Sequence, residues 1–293
     1  MAGQTAGWDR LRPRLRSVAP PFYPPAPRPP GWPGADCKVC RGPVRPGFAR
    51  CYQCDQHTLR APALLADAVV PVSYAIKGTP FATALWRYKS EPLPSAPAPV
   101  SAPACAPAPV LASAPAPASA PAPVLGGTPA SDRASLLALL LAFLADHGRC
   151  VWRSAGMPPP DRLAVVPTGA GRPGPHPLLR LVSPYLRLPG CPLALRPGRQ
   201  GRDLDLDRFQ VLARPAGASV LLLDDTWVSG ASAQSAAAAL KLAGARHVAV
   251  VVLGRHLNPD DPASAVLLAG LAAARYDPAT CAVHLPPNGA NRR

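Results

Sequence analysis

Lysine is scarce in this 293-residue chain, with 4 lysines against 27 arginines. With Ala, Gly and Pro abundant, the skew fits a GC-rich coding bias, so the formal charge of +15 is weaker grounds for a nucleic-acid partner than its size implies. No apolar core follows the N-terminal charges, so a secretory signal is not expected and a cytoplasmic location is. Long apolar runs are missing as well. The longest, residues 134–145, is about two-thirds of what a bilayer crossing needs. With Ser131 as N-cap and Gly148 closing it, that run reads as a buried helix rather than a membrane span. Charge is absent altogether from residues 92–130, a run of Ala-Pro repeats that carries Ala-Pro-Ala-Pro-Val-Leu at both 106–111 and 120–125. Such a segment cannot build a core; it favours extended polyproline geometry and reads as a semi-stiff insertion.

What is present divides the chain. The 43 prolines mean that a good part of it is not core. Residues 1–36, with Arg10, Arg12, Arg14 and Arg16 ahead of a Pro-rich stretch at 20–33, read as a disordered basic arm. Residues 37–60 hold Cys37-x-x-Cys40 and Cys51-x-x-Cys54. Two such pairs can present four thiolates from two tight knuckles, the ligand set of structural zinc. A redox pair needs only one of them, and secreted disulfides fit badly with the absent export signal. A closed four-sulfur site leaves no open coordination position, so the metal's role is structural. Cys281-x-x-His284 has ligand spacing too, without a second half visible in the sequence. Lys38, Arg41, Arg45 and Arg50 flank the knuckles.

From 61 to 285, leaving out the 92–130 insertion, strand and helix patterns alternate, which predicts an α/β fold with a parallel sheet and flanking helices; 286–293 is a tail. Residues 69–74, 162–167 and 246–253 read as strands and 81–88 as a short helix with Phe81, Leu85 and Tyr88 on one face. The most informative segment is Val-Leu-Leu-Leu-Asp-Asp-Thr-Trp-Val-Ser-Gly-Ala-Ser at 220–232. Residues 220–223 have the branching of a buried parallel strand, and Asp224 and Asp225 fall at its carboxyl end, where open parallel sheets bind ligands. The turn that follows, through Thr226, Val228, Ser229, Gly230, Ala231 and Ser232, can aim backbone N–H groups and the start of a helix at 232–243 toward one anion. Gly230 lets the main chain approach closely, and Gly244 is a natural C-cap. The two carboxylates would repel a phosphate unless they face hydroxyls on an attached sugar, and a ribose 5-phosphate satisfies both halves. An Asp-rich turn with a Ser N-cap is the plainer alternative. A second loop, Thr168-Gly-Ala-Gly-Arg-Pro-Gly at 168–174, offers Thr168, Gly169 and Arg172 beside it, or is an ordinary surface turn. Between 193 and 211, Arg196, Arg199, Arg202 and Arg208 with three aspartates read as a lid over an anionic substrate or as a solvated loop.

Segment 220–232 resembles the phosphoribosyl pyrophosphate (PRPP) motif of type I phosphoribosyltransferases, departing at Trp227 and Val228, where that family has a small aliphatic residue and Thr. The order of features resembles the ComF family, in which zinc knuckles precede a type I phosphoribosyltransferase domain. Ala84-Leu-Trp-Arg-Tyr-Lys89 is similar to that family's Ala-Leu-Lys-Tyr segment, and Arg208-Phe-Gln-Val211 to its Ala-Phe-Arg-Val. The resemblance implies a phosphoribosyltransferase fold that binds PRPP with Mg2+. It places Asp224 and Asp225 on the ribose hydroxyls and 229–232 on the 5-phosphate. Thr168, Gly169, Arg172 and Arg199 would attend the pyrophosphate, although the several arginines usual after Val-Pro are reduced here to Arg172. It also implies an alternative role, a non-catalytic protein that senses PRPP or binds single-stranded nucleic acid during DNA uptake in competent bacteria.

Overall fold

Among the described residues, six strands arise where the apolar patterning has a period of two or covers both faces: β1 (Ala68–Ile76), β2 (Arg162–Val165), β3 (Leu193–Leu195), β4 (Phe209–Val211), β5 (Ser219–Trp227) and β6 (His247–Leu257). The computed structural model describes residues 36–89, 131–167, 176–272 and 281–283. Strands β1, β6, β5 and β2, in that order, form one fully parallel sheet, while β3 and β4 pair antiparallel as a separate ribbon.

Alternate residues of each central strand feed opposite faces of the sheet. Leu221, Leu223, Ala249, Val251 and Leu163 join one apolar cluster; Val220, Leu222, Val248, Val250 and Ala164 join the other. A sheet buried on both faces needs helices or loops on both. The first face is covered by α2 (Pro80–Arg87), α3 (Asp132–Ser154) and α4 (Pro177–Leu186), which bring Phe81, Leu85, Leu136, Leu139, Leu140, Phe143, Leu178 and Val182. The second is covered by α5 (Ala231–Leu242), whose Ala233, Ala236, Ala237 and Leu240 fall one helical turn apart and let helix and sheet approach closely. The cysteine segment with α1 (Tyr52–Arg60) packs on this second face too, and α6 (Ala265–Ala272) follows β6. Truncating a side chain as deeply enclosed as Leu222 costs about 2–5 kcal/mol.

Helix α3 begins as expected, with the Ser131 hydroxyl accepting the Ala134 N–H at 3.3 Å. It does not stop at Gly148. It continues to Ser154, because Val151, fully buried, extends the packed face, and that burial outweighs the roughly 1 kcal/mol that Gly costs in a helix. By length and composition α3 is able to cross a membrane. Here its apolar face is covered by β1, β6, α2 and α4.

The sheet's unequal strand lengths position the site. Strand β2 ends with Val165 opposite Leu223, and the Val166 N–H caps the pairing by donating to the Leu223 carbonyl at 2.9 Å. Strand β5 runs four residues further, through Asp224 and Asp225 to Trp227, paired with β6 alone among the described residues. The acids therefore lie within the strand rather than just past it, on the flank where its neighbour has stopped.

Candidate functional site at the carboxyl edge of the sheet

The turn between β5 and α5 is built around Gly230, which has φ +81° and forms the helix N-cap. Two constraints select glycine there. The left-handed conformation penalises any side chain. A Cβ would also lie 2.0 Å from Cζ2 of Trp227, whose buried indole packs directly beneath the turn. Trp227 thus fills space on the core side of the loop, while Val228 beside it is exposed. Ser229 Oγ accepts the Ala231 N–H at 3.3 Å and donates to the Arg202 carbonyl at 3.2 Å. Ser232, in the first turn of α5, accepts a 3.1 Å hydrogen bond from Nη1 of Arg208. Arg208 is 3% exposed and its Nη2 donates to the Asp203 carbonyl, so a buried guanidinium stands against the helix start. Together with the unpaired N–H groups usual in a first helical turn, this makes the loop electropositive.

The two acids have different environments. Asp225 is buried and held by three partners: Tyr88 Oη donates to Oδ2 at 2.6 Å, Lys89 Nζ to Oδ1 at 2.9 Å, and His176 Nε2 stands 3.6 Å from Oδ2. His176 is the N-cap of α4, and its Nδ1 accepts the Leu178 N–H at 3.1 Å, which leaves the Nε2 proton facing Asp225. Burial, then the Asp225 charge, raises the Tyr88 hydroxyl well above its ordinary range, so it remains a donor. Asp224 is half-buried and accepts the Asp225 N–H on Oδ1 at 2.9 Å. Burial first, and the neighbouring Asp225 second, push its carboxyl up to about 8, with Lys89 and the backbone N–H groups of Asp225 and Thr226 opposing. Thr226 continues the strand, paired with Gly254.

Of the residues singled out in the sequence, Asp224, Asp225, Thr226, Val228, Ser229, Gly230, Ala231 and Ser232 thus form one continuous edge. Arg199 lies in the loop between β3 and β4, with its guanidinium directed to Asp205 at 3.6 Å and Asp207 at 3.8 Å. That loop is tied down by the Asp205 N–H, which donates to Ser235 Oγ of α5 at 2.9 Å. Thr168, Gly169 and Arg172 lie outside the described residues, as does the 92–130 insertion. Sequence reasoning gave no role to Tyr88, Lys89 or His176. The Ala-Leu-Trp-Arg-Tyr-Lys segment was a signal for the first two; for His176 the only signal was a lone histidine ahead of Pro-Leu-Leu, a helix-start pattern.

Beneath the same loop sits the cysteine cluster. Cys51 caps α1 and Cys54 lies in its first turn; Cys37 and Cys40 come from a knuckle closed by the Cys37 N–H donating to the Gly42 carbonyl at 2.6 Å. All four sulfurs lie within 4.8 Å of one another, and Cys40 and Cys51 are 3.8 Å apart. That equals the edge of a tetrahedron with metal–sulfur bonds of about 2.3 Å, the zinc–thiolate value. The donor set and its enclosure fit structural zinc. Arg255 of β6 lies alongside: burial works against its charge, and the sulfurs of Cys40, Cys51 and Cys54 more than offset this, so its pKa rises. Its guanidinium occupies the place a side chain at Gly42 would take, 2.0 Å from a Cβ there, and its Nη1 donates to the Trp227 carbonyl at 3.1 Å.

No protein-family model and no curated protein matches the chain. Among solved structures, a purine phosphoribosyltransferase from Pyrococcus horikoshii Ot3 is similar over 40% of this chain and 89% of its own, at 13% identity and a TM-score of 0.24. Superposition that loose gives no residue a role.

Proposed function

We propose that the protein is a phosphoribosyltransferase of the ComF type, in which residues 37–60 are a zinc-knuckle module and 61–285 the transferase-like domain. In this reading it binds PRPP with Mg2+ and passes the phosphoribosyl group to an acceptor. The observation that carries the reading is the junction of Asp224 with the Gly230 turn and the start of α5, on the flank of β5 past the end of β2. Ionised Asp224 accepts from the ribose hydroxyls, and the 229–232 backbone, with the Ser229 and Ser232 hydroxyls and Arg208 behind them, takes the 5-phosphate. Asp225, committed to Tyr88, Lys89 and His176, acts by fixing Lys89 at this edge as a cation for the departing pyrophosphate. Arg199 and Arg172 are the further cations assigned to the pyrophosphate, with Thr168 and Gly169 as the backbone of its loop.

Departure of pyrophosphate gives the ribose C1 oxocarbenium character, so the protein contributes positioning and charge stabilisation rather than a nucleophile. Mg2+ would enter on the substrate's own oxygens, neutralising the pyrophosphate, with Asp224 as the carboxylate nearest solvent. Calorimetric titration with PRPP and Mg2+, followed by release of labelled pyrophosphate in the presence of amines and bases, tests the proposal. Binding that is unchanged in Asp224→Asn combined with Asp225→Asn would refute it.

A second reading, single-stranded nucleic-acid binding by the knuckle module, is favoured by Phe48 and Tyr52, which are 66% and 73% exposed in a segment that also exposes Lys38 and Arg45. Aromatic faces among cations are stacking platforms, worth about 1–3 kcal/mol per base. Phe48→Ala with Tyr52→Ala should then weaken single-strand binding at least tenfold, and wild-type binding should fall steeply with salt.

A further inference from the structure

We propose that His147, Cys150 and Cys281 form a second metal site, of the zinc class, separate from the four-cysteine cluster. His147 and Cys150 are three residues apart on α3 and so share one face of the helix. The fold brings Cys281 to them from the far end of the chain, with the ligating atoms of all three within 4.8 Å of one another. His147 is 5% exposed and Cys281 2% exposed, which separates this group from the accidental clusters common on surfaces. Imidazole and thiolate are the donors that select Zn2+ over hard cations.

The surroundings prepare the site for an ion. The Phe143 ring, one turn before His147, stands against the imidazole at 5.4 Å and 45°, limiting its rotation. On the other side, Cys281 and Ala282 are buried in the core cluster that contains Leu136, Leu139 and Val151, and Val283 packs against it. The Ala282 carbonyl also accepts from Nη2 of Arg41, the residue after Cys40. The 281–283 segment is therefore bracketed by the two cysteine-bearing centres. A metal would staple it to α3, closing a long stretch of chain by a cross-link that the parallel sheet does not itself supply.

The test is elemental analysis of the full-length chain purified under reducing conditions from zinc-supplemented cells. Wild type should carry two zinc ions per chain, and Cys150→Ser with Cys281→Ser should carry one, still held by the four-cysteine cluster. Because a buried double substitution can prevent folding, X-ray absorption on the wild type supplies an independent readout: the averaged zinc shell should include histidine nitrogen at about 2.0 Å as well as sulfur at about 2.3 Å. One zinc per wild-type chain in an all-sulfur shell would overturn the proposal. So would an unaltered count of two in a folded Cys150→Ser, Cys281→Ser variant.

Discussion

Arg255 donates its Nη1 proton to the carbonyl of Trp227 at 3.1 Å while the same guanidinium lies against the knuckle glycine Gly42. One side chain therefore touches both the cysteine cluster and the turn that precedes α5. Replacing it with methionine keeps the volume and removes the charge, leaving the Trp227 carbonyl without its donor. About 3–5 kcal/mol of stability should be lost, the usual cost of breaking a buried charge pair by removing one partner. Chemical denaturation of Arg255→Met, with zinc content measured on the same sample, checks this; a loss below about 1 kcal/mol would show that the contact is incidental.

The close approach of Gly230 and Trp227 gives a paired prediction. Gly230→Ala should abolish PRPP binding and lower the Tm by several degrees, since the new methyl meets both a left-handed backbone and the indole. Adding Trp227→Val removes only the second obstacle. The double variant should recover part of the stability, and a double-mutant cycle would show the coupling.

Asp224 sets a pH dependence. Its carboxyl lies near 8 in the fold against 3.8 when unperturbed, so between these values the folded chain holds a proton that the unfolded chain has released. Stability from this group is thus fully present below about 3.8, falls progressively as pH rises, and is lost by about 8. The proposed PRPP binding should run the other way, because the ionised carboxylate is the stronger acceptor for ribose hydroxyls. Affinity measured from pH 6 to 9 should rise through about 8 in wild type and stay flat in Asp224→Asn.

Tyr88→Phe removes the 2.6 Å donor to Asp225 and leaves packing unchanged. A hydrogen bond to a charged group is worth about 1.5–3 kcal/mol, and a comparable destabilisation is expected by urea titration. Asp225 would then keep Lys89 and His176 but lose its shortest hydrogen bond, so the loss in any pyrophosphate release should fall on kcat more than on KM.

If Cys37, Cys40, Cys51 and Cys54 hold zinc, chelating it should loosen residues 37–60 first and carry Arg255 with it. Hydrogen exchange would show protection lost in α1 and at 227–230 together; loss confined to α1 would mean that the two regions are not coupled.

The sheet was readable because its strands are apolar on both faces: 220–223 and 246–253 could be little else, and Gly230 ahead of an alanine-rich run announced the tight turn into α5. Gly148 misled, since its weakness as a helix former is local and the burial of Val151 is not. The partners of Asp225 were hidden for another reason. Tyr88 is 137 residues away in sequence, and nothing in a tyrosine at the end of a short helix says which carboxylate it will meet. Arg255 was equally opaque, a charge inside an apolar strand whose purpose appears only when the thiols and the turn are placed around it.

Nε of Arg133, near the start of α3, donates to the Tyr88 carbonyl at 3.0 Å, and Arg87 stands 3.7 Å from Asp132. The last residues before 90–130 and the first after it are thereby clasped together, so the intervening stretch is dispensable as a tether. Replacing it with a short Gly/Ser bridge should raise stability by about 1–2 kcal/mol through reduced closure entropy. A nick in its place would split the gene product into two fragments, one bearing Tyr88 and Lys89 and the other Asp225, whose reassembly could be scored by PRPP binding alone.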